Sequence, residues 1–207
     1  MNFLKSILNW LSNMSISKPS VVTKQPSKTS VILNPTKPKE KLANSSIPWY
    51  DALHKMIGKH EVRDNKELRA WLKSDGATLG DPAVQPWCGD AVETAILVTL
   101  PNEILPKNPY LAAAWSSFGK LVKPQKGAIL SFWRGSPSSW QGHVGIYAGE
   151  DSKNFYVLGG NQSNSISIVP IAKNRLRKNG SRWPLTGQEP QNIIVKMSGG
   201  IVSTNEA

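Results

Sequence analysis

The chain has 207 residues, 39% of them hydrophobic, with eight tryptophans, one cysteine and a formal net charge of +11. That length and apolar content suit one domain with an ordinary core, and a single cysteine excludes an internal disulfide framework. The positive charge favours anionic partners, but residues 1–46 hold seven lysines against one glutamate, so a basic tail supplies more than half of the excess.

At the N-terminus, Phe3, Leu4, Ile7, Leu8 and Leu11 recur along one helical stripe. Lys5, Ser6, Asn9 and Ser12 interrupt any continuous apolar run. Residues 1–14 therefore predict an amphipathic docking helix rather than a membrane span or a secretory signal. A phage particle, a secretion machine or a membrane surface would each offer it a partner. Residues 15–46, rich in Ser, Thr, Lys, Pro and Asn without apolar periodicity, predict a flexible basic linker. The tail has no recognition motif and no interleaved aromatic platform, which argues against nucleic acid as the partner.

From residue 47 to 207 the pattern is that of a folded domain. "PWYDALHKMIG" has helical spacing through Trp49, Leu53, Met56 and Ile57 before Gly58, and "NKELRAWLKSDG" repeats the device before Gly76. "GDAVETAILVTL" predicts a third helix ended by Pro101, and "YLAAAWSSFG" a fourth ended by Gly119. After residue 120, "GAILSFWR", "GHVGIYAGE", "NFYVLGGN" and "SISIVPI" read as strands, rich in Val, Ile, Tyr and Phe and bounded by turn residues. "RLRKNGSRWP" reads as a solvated cationic face. Helices followed by an antiparallel sheet predict an α+β fold.

Cys88 falls in "PWCGDAV", where Pro86 helps to fix the start of the third helix and Trp87 could wall a cleft. At a helix start, unpaired amides and the positive end of the dipole favour thiolate over thiol. Of the three histidines, His54 and His60 are six residues apart and would face different sides of one helix, so they read as structural. His143 stands at the start of a strand beside a glycine, and pairs with Cys88 as the base of a cysteine–histidine nucleophile. A third polar group should orient the imidazole. "VLGGNQSN" offers Asn161 and Gln162 after two glycines that permit close backbone approach, although the same residues could simply form a turn.

The ordered blocks "PWCGDAV", "GAILSFWR", "GHVGIYAG" and "VLGGNQSN" resemble the cysteine peptidoglycan hydrolases of the NlpC/P60 and CHAP superfamily, nearest a phage-associated subgroup. The similarity covers about residues 48–186, with "HEVRDN" and "RWP" near its ends. It implies a papain-like fold, with N-terminal helices packed on a short antiparallel sheet, and cleavage of an amide bond in bacterial cell-wall peptide. It also implies Cys88 as nucleophile, His143 as general base and Asn161 as the orienting group, with Gln162 as rival. Many CHAP relatives carry a glutamate two residues before that asparagine, where this chain has Gly159. The Cys88 amide would serve the oxyanion hole, with Gln85 as a second donor, and no metal or cofactor is required. The expected partner is bacterial peptidoglycan, reached after lysis or by delivery on a particle, since no secretory signal is read. The alternative is a non-catalytic wall-binding or structural module of a phage particle.

Overall fold

The computed structural model describes residues 46–203. The predicted docking helix 1–14, and the linker up to residue 45, lie outside the described residues. Among those described, three α-helices precede a six-stranded sheet in which every neighbouring pair is antiparallel, an α+β architecture.

Helix α1 (Pro48–His54) starts on a proline, whose missing N–H costs nothing there, and buries Trp49, Tyr50 and Leu53. It stops earlier than the spacing through Ile57 suggests. The Met56 and Ile57 amides bond three residues back, to Leu53 and His54, tightening the chain into turns. Helix α2 (Asn65–Leu72) buries Leu68 and Leu72. Helix α3 (Cys88–Leu97) is buried from Cys88 through Ile96 because α1 and α2 pack on one side of it and the sheet on the other. A helix covered all round must be apolar over most of its surface, and "AVETAIL" is.

The predicted fourth helix is a 3-10 segment, Ala112–Ser117. Its tighter winding eclipses residues three apart, so Ala112 and Trp115 point together into the core, and the Trp115 indole donates to the Pro109 carbonyl at 2.7 Å.

The sheet runs in the order β1-β6-β2-β3-β4-β5, with β1 (Lys120–Leu121), β2 (Ile129–Trp133), β3 (Gly142–Glu150), β4 (Asn154–Gln162), β5 (Ser165–Ala172) and β6 (Leu176–Trp183). Strand β6 comes from the cationic stretch read as a solvated face. It pairs with β1 on one side and β2 on the other, and its Trp183 is 1% exposed. Trp183 meets Trp49 edge to face at 5.0 Å, which ties the last strand to the first helix. None of the described helices is long and apolar enough to cross a membrane.

Candidate active site

Cys88 is the first residue of α3, and its thiol is packed against β3. Burial pushes the thiol pKa up. The backbone amides of Val144, Gly89 and Cys88 itself, with the positive charge of Arg134, act in the opposite direction but do not overcome it. The helix-start expectation is therefore corrected. The amides are there, but desolvation outweighs them and the resting group is the thiol. Val144, whose amide reaches the sulfur, directly follows His143 on β3.

His143 is 1% exposed, and its Nε2 lies 2.9 Å from Gln162 Oε1. The far side of that amide fixes the proton. Gln162 Nε2 donates to the Ser167 carbonyl at 2.7 Å and the Val157 carbonyl at 3.3 Å, both of which can only accept. The amide nitrogen must therefore face β5 and the oxygen must face the ring. An oxygen acceptor at 2.9 Å requires a proton on Nε2, which leaves the imidazole lone pair on Nδ1. One side chain thus sets both ring orientation and tautomer.

Gln162, the rival of Asn161, makes this bond to His143. The reason lies in the backbone. The β4–β5 register shifts between Gly159 and Gln162, and Asn161 sits at φ 56, the left-handed region that asparagine tolerates better than most residues. This bulge advances the strand by one residue and turns the Gln162 side chain over Gly159. A Cβ on Gly159 would lie 2.9 Å from both His143 Nε2 and Gln162 Oε1. The glycine is the space in which the pair meets. A Cβ on neighbouring Gly160 would lie 2.5 Å from the Trp87 ring, which is 1% exposed and walls the Cys88 end of α3.

Trp87 is held in turn by Glu61, whose Oε2 accepts from the indole N–H at 2.9 Å. Glu61 carried no sequence argument, since nothing local marks a carboxylate whose partner lies 26 positions away. His54 stacks on Tyr50 at 5.6 Å, and His60 Nδ1 accepts from the Val62 amide at 3.1 Å, so both serve the scaffold. Gln85, the suggested second oxyanion donor, has an exposed side chain on the turn before α3.

Behind Cys88, α3 carries Asp90 and Glu93 into the interior, close enough to Asp75 for their charges to interact. Burial, opposed by hydrogen bonds from the Leu79 amide and the Thr78 hydroxyl, raises Asp90 to about 6. Burial and the charges of Asp75 and Asp90 raise Glu93 to about 7. Tyr110, hydrogen-bonded to Glu93, is pushed up to about 12 by its own burial and the same carboxylates.

Trp133 closes β2, and its carbonyl accepts from Arg175 Nε at 3.2 Å. Trp140, in the loop before His143, is 70% exposed. Comparison with protein-family models, with curated proteins and with solved structures finds no match for this chain.

Proposed function

We propose that this chain is a peptidoglycan hydrolase that cleaves an amide bond of bacterial cell-wall peptide by a thiol mechanism, on a papain-like arrangement of helix-borne cysteine and strand-borne histidine. The observation that carries the reading is the locked imidazole. Gln162 holds Nε2 protonated, so the basic lone pair sits on Nδ1 of the only buried histidine, in the residue before the amide that reaches the thiol. In that tautomer a neutral imidazole can take up a proton at Nδ1, as a general base must.

In this mechanism His143 Nδ1 takes the proton of the Cys88 thiol as sulfur attacks the scissile carbonyl carbon. Burial keeps the thiol protonated at rest, so proton transfer accompanies attack. The carbonyl oxygen becomes an oxyanion within reach of the Cys88 amide at the start of α3. The protonated imidazole gives its proton to the departing amine, the C–N bond breaks, and a thioester to Cys88 remains. Water, deprotonated by the same Nδ1, attacks the thioester and releases the carboxylate, restoring the thiol. Gln162 replaces Asn161 as the positioning residue, because it makes the bond that fixes the ring.

The test is incubation with purified sacculi, followed by mass spectrometry of the new amine and carboxyl ends. The reading expects one new pair of ends from the wild type and none from Cys88→Ala or His143→Ala variants whose circular dichroism is unchanged. Equal ends from a folded Cys88→Ala protein would remove it. The identity of the ends also assigns the bond, between the glycan and its peptide or within the peptide.

A further inference from the structure

Charge is segregated along the fold. Residues 47–103, which contain all three α-helices, hold nine acidic and six basic residues, whereas residues 104–203, which contain the whole sheet, hold twelve basic and three acidic. The net +5 of the chain beyond residue 46 therefore conceals two halves of opposite sign.

The cationic half has a groove at its edge. Between the end of β1 and strand β6 lies an open groove of about 450 Å³, walled by Leu121, Pro124 and Leu176 and carrying Lys123 and Arg177, with no acidic residue in its lining. Lys178, the next residue along β6, is exposed outside the lining and adds a cation to the same sheet edge. The groove is coupled to the candidate active site by Arg177. One of its terminal nitrogens donates to the Ser139 and Gln141 carbonyls, each at 2.8 Å. Those two residues flank Trp140 and lead directly into β3 and His143. Arg177 thus joins the groove to the loop that precedes His143.

We infer that this sheet edge is a binding surface for an anionic phosphodiester polymer of the cell wall, of the polyol-phosphate kind. Lysine and arginine suit closely spaced phosphates, and the apolar walls suit the carbon faces of a polyol or sugar repeat. An open edge groove admits a polymer that continues past both ends. The choice of a wall polymer over another polyanion rests on the hydrolase reading; the groove and its charge do not. Such binding would hold the protein on the wall beside its substrate and raise the local concentration of scissile bonds.

The experiment uses the full chain, so that the basic tail contributes equally to every arm. Sedimentation with intact walls is compared with walls stripped of phosphodiester polymer, over a series of salt concentrations. Soluble polyglycerol phosphate and single-stranded DNA of equal charge serve as competitors. Lys123→Glu/Lys178→Glu reverses two exposed cations at the groove edge, and Lys55→Glu/Lys66→Glu reverses two exposed lysines on the helical half. The expected result is weak binding to stripped walls. On intact walls, the groove pair should lose roughly tenfold and its salt slope should fall by about one for each phosphate contact removed. The helical pair should stay within about twofold, as distant surface charges act weakly in salt. Equal losses in both pairs, undiminished binding to stripped walls, or stronger competition by DNA than by polyglycerol phosphate would each overturn the inference. New ends on stripped walls are scored separately. Their absence sinks the hydrolase reading and leaves the binding result standing.

Discussion

Gln162→Ala leaves the imidazole free to rotate and to exchange tautomers, and the cost should fall on turnover rather than on substrate binding. The expectation is a kcat loss of at least about tenfold with KM little changed, since orientation of the base matters most in the transition state. Asn161→Gly keeps the left-handed bulge and should stay within a few-fold of wild type, whereas Asn161→Val, β-branched at φ 56, should lose both stability and activity. Steady-state hydrolysis of sacculi with thermal melts checks both, and equal losses in Gln162→Ala and Asn161→Gly would return the orienting role to Asn161. Gly159→Ala places a methyl 2.9 Å from both members of the His143–Gln162 pair and should impair turnover without touching the thiol. Alkylation of Cys88 by iodoacetamide separates the two effects. That Cys88 opens a helix and His143 lies at the start of a strand could be read from sequence, because small or rigid neighbours mark both places. The hydrogen-bond partner of His143 could not, because strand parity reverses at a bulge, and nothing in "GGNQSN" says which residue takes the positive φ.

Helix α3 carries Cys88 at one end and buried acids along its length, so its stability should depend on pH. The folded values of Asp90 and Glu93, about 6 and about 7, lie above their ordinary 3.8 and 4.5, so the folded state binds more protons than the unfolded. The stability they contribute is full below about pH 4 and is lost as pH rises through about 6 to 7. Urea unfolding at about pH 5 and about pH 8 should show the protein weaker at the higher pH, and Glu93→Gln should flatten that difference. An unchanged difference in Glu93→Gln would contradict the burial and crowding assigned to it. Across the α3 N-terminus, Glu61→Ala strips the indole of Trp87 of its acceptor and should cost about 1–3 kcal/mol, read from the same unfolding curves. A loss under about half a kcal/mol would mean that water replaces Glu61. Elements with strong periodicity could be read from sequence: α1, α2, α3 and strands β2 to β5. Strand β6 could not, because Arg177, Lys178 and Asn179 interrupt its apolar positions and its Trp183 packs on Trp49, more than a hundred residues away. The 3-10 segment kept its place in the sequence but not its winding, which the packing of Trp115 decides.

At the scale of the whole molecule, helix α3 supplies Cys88 and the sheet supplies His143 and Gln162, so the proposed site exists only when the two halves dock. Their contact is made by α3 lying on β3 and β4, which brings the Cys88 sulfur to the amide after His143 and the Trp87 ring onto Gly160. The sequence order of helices before strands is enough to predict an α+β arrangement, but not the closeness of that docking, which buries the thiol and reverses the expected direction of its pKa. The proposed mechanism requires this buried thiol to form a covalent acyl intermediate. The most direct measurement is mass spectrometry of the protein quenched during turnover of purified wall peptides. The expected result is a stem-peptide fragment in thioester linkage to the peptide containing Cys88, present in wild type and absent from His143→Ala. Sustained turnover with Cys88 never acylated, and undiminished in a folded Cys88→Ser protein, would contradict it.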